Sequence, residues 1–230
     1  MSSKTIFKVP VSVFAMLYIP SIAIIAFAAL FSIYNSDIPV SSLTRDPMAV
    51  VSGHPLIGAL SNIGILFWCT AAATCFFVGL ILQLQRRTPV SWFLICSGVL
   101  TSVLLLDDLF MFHEVLAPDY LGLNEKLVVA GYGLAVVICV VMFRRVILGT
   151  EYLLLTFAFA FFGMSIIVDV LLRVLTVDNT LSMGTENWLY LVEDGLKLLG
   201  IVSWCGYYVR FAYQQVIAMS NAVSDSKAGV

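Results

Sequence analysis

Hydrophobic residues in this chain are gathered into six long apolar runs, at about 9–33, 56–84, 91–116, 125–146, 151–175 and 188–214. At 1.5 Å of rise per residue, a helix of about 20 such residues crosses a hydrocarbon layer of about 30 Å. Each run therefore predicts a membrane-spanning helix. The first follows Lys4 and Lys8 and exceeds the apolar core of a secretory signal, so it is expected to stay as a span. Turn-forming and polar residues separate the runs: Pro39 and Gly53-His54-Pro55, then Thr88-Pro89, then Pro118, Gly122 and Asn124, then Gly149-Thr150-Glu151. A last polar stretch at 176–187 precedes the sixth run. Residues 218–230 are small and polar and read as a flexible cytoplasmic tail. Residues 1–217 form one domain with no internal repeat.

Composition supports this pattern. The chain is 61% hydrophobic and 11% charged, with a mean hydropathy of +1.02. Soluble domains carry roughly 25% charged residues, so a water-facing globule could not be coated. The fold class expected is all-α, a polytopic membrane helical bundle of six transmembrane helices. A net charge of −2 without a basic run argues against nucleic acid as a partner. Neither a G-x-x-x-x-G-K phosphate loop nor a G-x-S-x-G nucleophile elbow is present.

Charge sets the orientation. With both termini cytoplasmic, Lys4, Lys8, Arg86, Arg87, Arg144, Arg145, Arg210 and Lys227 all lie on the inner side. Only Arg45, Lys126, Arg173 and Lys197 remain for the outer half, as the positive-inside rule requires. The expected location is the plasma (inner) membrane, multi-pass.

The acids sort oppositely. Of fourteen Asp and Glu, only Glu151 and Asp225 fall on the cytoplasmic side. Seven are in the outer halves of spans three to six: Asp107, Asp108, Glu114, Glu125, Asp169, Glu193 and Asp194. Against them stand Lys126, Arg173 and Lys197. Ionisable groups in a bilayer face a bundle interior or a wet cavity, so these predict one outward-opening polar site. On a continuous helix Asp107 and Glu114 share a face, while His113 is turned roughly 120° from Asp107 at about 100° per residue. Lys197 lies i+4 from Glu193 and i+3 from Asp194. The third and sixth spans are therefore expected to be neighbours, with Asp107 or Asp108 close to Lys197. Asp169 and Arg173 read as a structural i,i+4 ion pair, His54 as an ordinary loop residue, and the five cysteines, lacking C-x-x-C, as small apolar packers.

The acid excess asks for bound cations, shared protons or water. The function expected first is a metal-assisted hydrolase acting on a lipid or small apolar substrate. Asp107, Asp108, His113, Glu114, Glu193 and Asp194 would hold a divalent ion. Calcium, magnesium or manganese suits carboxylates, and zinc suits a site with His113 turned inward. Asp107, Asp108 and Lys197 would carry the catalytic proton transfers. The alternatives are a proton or cation transporter or channel, and a non-catalytic membrane subunit whose buried charges pack helices or a partner. Membrane lipids are the expected surroundings in every case.

Overall fold

The computed structural model describes residues 11–35, 38, 40–44, 47–54, 56–86, 88–177 and 183–228. It is helical, and no strand occurs among the described residues. Two compact units are distinguished, 1–57 and 58–230. The first contains the uncharged helix α1 (Val11–Tyr34), then two short helices, α2 (Val40–Thr44) and α3 (Pro47–Val50). His54 is here, and its Nδ1 accepts the backbone N–H of Leu56 at 3.3 Å.

The second unit contains α4 (Ala59–Leu84), α5 (Thr88–Phe110), a π-helix (Phe112–Tyr120), α6 (Glu125–Met142), α7 (Arg144–Leu148), α8 (Leu153–Val177) and α9 (Met183–Ala228). Four stretches are long and apolar enough to cross a membrane: Ala59–Leu84, Pro89–Phe110, Glu125–Met142 and Leu153–Leu175. They match the second to fifth expected runs. The third is shorter than expected because the chain leaves the helix at Met111. The fourth is shorter because Phe143 (φ −102°, ψ 14°) separates α6 from α7. Between 188 and 214, α9 carries Glu193, Asp194, Lys197 and Arg210, which sets it apart from those four. Its helix also continues to Ala228, through most of the segment expected to be a flexible tail. No proline interrupts it there.

The core forms where α4 packs on α5 and α9, and α9 in turn on α8. On α4 the buried residues Trp68, Ala71, Cys75, Val78 and Leu82 recur every three or four positions, one stripe of a helix. Small residues on this stripe let the helices approach, the usual device where lipid supplies no hydrophobic drive between spans. At Gly79 an added Cβ would lie 3.0 Å from Ile95 and 3.2 Å from Leu94, so α4 and α5 meet here almost backbone to side chain. Cys75 and Cys205 are buried, Cys96 and Cys139 half-buried and Cys69 exposed, all as free thiols. The packing role expected of them fits the buried pair best.

Below the acidic residues the core is aromatic. Trp68 stacks on Phe162, with centroids 6.0 Å apart and planes at 10°, and Trp204 meets Trp68 edge-on at 6.0 Å. Trp204 also donates its Nε1–H to Thr101 Oγ1 at 3.0 Å, tying α9 to α5 in the core. An indole N–H in an apolar interior needs such an acceptor.

Candidate functional site

A break in α5 builds the site. Met111 takes a left-handed conformation (φ 49°, ψ 46°), and the chain resumes as the π-helix. Asp107 stabilises this break: its Oδ1 accepts the backbone N–H of His113 at 2.9 Å. That amide is among the orphan donors at the start of a helix, so Asp107 caps the new segment from one turn back. Pro118 lies inside the π-helix, where it lacks an N–H to give.

The break corrects the expected position of His113. A continuous helix would have turned the imidazole well away from Asp107. Instead the ring returns to it, with Nδ1 and Asp107 Oδ2 2.5 Å apart. Tyr132 on α6 donates its hydroxyl to Asp107 Oδ1 at 2.9 Å. Nε2 is then the nitrogen left over, 3.5 Å from Glu114 Oε1. His113 lies past the end of the apolar span, and its hydrogen bond to Asp107 raises its pKa above the ordinary 6.5 against the opposing effect of partial burial. The expected shared face of Asp107 and Glu114 does not survive as a helical register, although both side chains reach the same cavity.

Asp108 is held separately. Lys197 Nζ lies 2.8 Å from its Oδ1, and Trp68 Nε1 donates to its Oδ2 at 2.8 Å. The third and sixth runs are thus neighbours at this point, as complementary charge suggested. Lys197 pairs across the bundle with Asp108 rather than along α9 with Glu193 or Asp194. Neither of those acids has a base within ion-pairing distance among the described residues. Arg173 binds Asp169 on its own helix, Nε to Oδ1 2.9 Å, and also Glu125 on α6, Nη2 to Oε1 2.7 Å. The expected intrahelical pair is therefore one half of a cross-helix clamp.

These groups surround one cavity of about 730 Å³. All seven outer-half acids line it, with Arg173, Lys197 and His113, whereas Lys126 does not. Its volume falls in the usual range for small-molecule sites, roughly 300–1,000 Å³. Trp68, Phe159, Phe162 and Trp204 form the apolar part. The cavity lies between α6, which packs on α5 and the π-helix, and α8, which packs on α9; α6 and α8 make no extended contact with each other. Ser165 fastens α8 to α9 beside it, donating to the carbonyl of Glu193 at 3.1 Å.

Every oxygen of the two central carboxylates has a donor. Asp107 is used by His113 and Tyr132, and Asp108 by Lys197 and Trp68. Among the described residues no group of three or more His, Cys, Asp or Glu side chains is disposed to hold a metal ion. The expected ligands Asp107, Asp108, His113, Glu114, Glu193 and Asp194 share the cavity wall, but the central pair would have to surrender these donors to take a cation.

Trp68 and Tyr132 are members of the site that charge counting did not single out. Trp68 and Tyr132 did carry a signal. Each puts an N–H or O–H deep in an apolar run, where a partner is obligatory.

The chain belongs to the family described as Domain of unknown function (DUF8692), whose model matches residues 17–211. That range contains every residue of the cavity. No curated protein and no solved structure matches the chain.

Proposed function

We propose that this family member is a membrane-embedded hydrolase in which His113, positioned by Asp107, acts as a general base on an amphiphilic substrate. The observation that carries the reading is the Asp107–His113 couple on the wall of a 730 Å³ cavity. Nδ1 is occupied by the carboxylate, so the neutral ring offers Nε2 as acceptor. A water at Nε2 would lose its proton to the imidazole as its oxygen attacks a substrate carbonyl. The imidazolium then returns that proton to the leaving group. Lys197 is taken up by Asp108 on the same wall. A divalent ion is not part of this reading, because the donors on Asp107 and Asp108 already satisfy both carboxylates.

The substrate enters sideways from the bilayer, through the gap between α6 and α8. We combine this entry with a six-span, both-ends-cytoplasmic arrangement in the plasma (inner) membrane. It adds α1 and α9 to the four apolar helices and puts the cavity in the outer leaflet half. The aromatic floor of Trp68, Phe162 and Trp204 favours a dead-end pocket over a transport path.

The test uses purified protein in nanodiscs, incubated with a total lipid extract of the membranes in which it was expressed. Mass spectrometry should find lipids consumed and products formed by the wild type. His113→Gln should lower that turnover by at least about 100-fold, the scale of a lost general base. Identical lipid profiles for the two proteins would remove the enzyme reading.

A further inference from the structure

Resting on that reading of the cavity, we infer that its substrate is a single-chain amphiphile with a cationic, ammonium-type head. Three independent features of the site converge on this chemistry.

The first is charge. Seven acids line the cavity against three bases, counting His113, an excess of four. The bases are already engaged: His113 with Asp107, Lys197 with Asp108, and Arg173 with both Asp169 and Glu125. Glu193 and Asp194 are left facing the cavity with no ion-pair partner among the described residues. An anionic head such as a phosphate or sulfate would meet these carboxylates with no free cation to receive it, and like charges brought together across an interface are penalised. An ammonium head supplies the missing charge.

The second is the wall. Trp68, Phe162 and Trp204 line the cavity beside the acids, packed on one another and with the two indoles nearly buried. Aromatic faces near a cation contribute attraction that a sulfate or a hydroxyl does not gain. The same rings, with Phe159, give an alkyl chain an apolar lining.

The third is the room left for a chain. Gly133 on α6 and Gly163 on α8 both line the cavity, and a Cβ added at either would meet nothing within 4 Å. These glycines leave space open where the two helices face each other without packing. They also provide a way to fill the cavity without disturbing the core.

The experiment measures equilibrium binding of tritiated hexadecyltrimethylammonium, hexadecyl sulfate and hexadecanol to protein in nanodiscs, with empty nanodiscs subtracted. The three probes share one chain and differ only in the head. The ammonium probe is expected to bind at one site, at least about tenfold more tightly than the sulfate or the alcohol, which corresponds to about 1.4 kcal/mol. Gly163→Phe should abolish that binding, and the double variant Glu193→Gln, Asp194→Asn should remove most of the preference for ammonium while leaving hexadecanol binding unchanged. Thermal melting of each variant near the wild-type temperature confirms that it is folded. If the sulfate or the alcohol binds as well as the ammonium, and Gly163→Phe blocks them, the cavity holds amphiphiles but the cationic head is overturned. If no probe binds in a way that Gly163→Phe abolishes, the amphiphile cavity and the head preference fall together.

Discussion

Lys197 on α9 reaches Asp108 on α5, with Nζ 2.8 Å from Oδ1, and Trp68 binds the other oxygen of the same carboxylate. The two ends of this ion pair are not equivalent. If Asp108 is neutralised, Lys197 still has Glu193 and Asp194 one turn away on its own helix. If Lys197 is removed, the Asp108 charge keeps only the indole. Lys197→Met should therefore destabilise more than Asp108→Asn, by about 2 kcal/mol, between the values typical of exposed and of fully buried pairs. A double-mutant cycle on chemical denaturation curves measures this. Equal effects of the two single variants would mean that Glu193 and Asp194 do not support Lys197.

Stability should depend on pH through His113. Its pKa is raised in the folded protein by the hydrogen bond to Asp107. A raised value means that the folded state holds the proton more tightly. The stabilisation is complete below the unfolded value of about 6.5 and is lost as pH rises through the folded value. Melting temperature should accordingly fall over that interval in the wild type. The fall should flatten in His113→Gln and shrink in Asp107→Asn. A wild-type profile identical to that of His113→Gln would contradict the pairing.

Two glycines on α9 should respond oppositely to alanine. A Cβ at Gly200 would lie 2.6 Å from Cε1 of Phe162, whose ring is fixed by stacking on Trp68. Gly200→Ala should cost about 1–3 kcal/mol by overpacking and alter tryptophan fluorescence. At Gly195 a Cβ meets nothing within 4 Å, so Gly195→Ala should be neutral or stabilising by up to about 1 kcal/mol through helix propensity. Thermal melts of the two variants side by side decide this, and similar shifts in both would mean that the Phe162 contact carries no weight.

The topology proposed for the chain can be checked at two exposed loop positions. On a background without native cysteines, Leu123→Cys lies before α6 and Gly149→Cys after α7. An impermeant maleimide should label the first only from outside the cell and the second only from the cytoplasm. The reverse pattern would invert the orientation.

Much of this site was legible in the residues because charge is so costly in an apolar run. Asp108 and Lys197 had to find partners, and their pairing joined the third and sixth runs. The position of His113 was not legible. It depends on the left-handed backbone at Met111, and methionine there carries none of the glycine or asparagine signal that usually marks such a turn. Pro118 hinted at a disturbed helix without saying where the break would fall. The partner of Arg173 was half legible: Asp169 lies on the same helix at a readable spacing, whereas Glu125 arrives from α6 through tertiary packing.

The Asp107 contact predicts a His113 ring protonated on Nδ1, with Nε2 left 3.5 Å from Glu114 Oε1. The chain has two histidines, so ¹⁵N-histidine spectra of the protein in nanodiscs contain only His54 and His113, and His54→Ala assigns them. Across a pH titration, His113 should change protonation above the ordinary imidazole value. Its neutral form should carry the proton on Nδ1, and Asp107→Asn should bring the midpoint down. A neutral ring protonated on Nε2, or a midpoint that Asp107→Asn leaves unchanged, would contradict the claim.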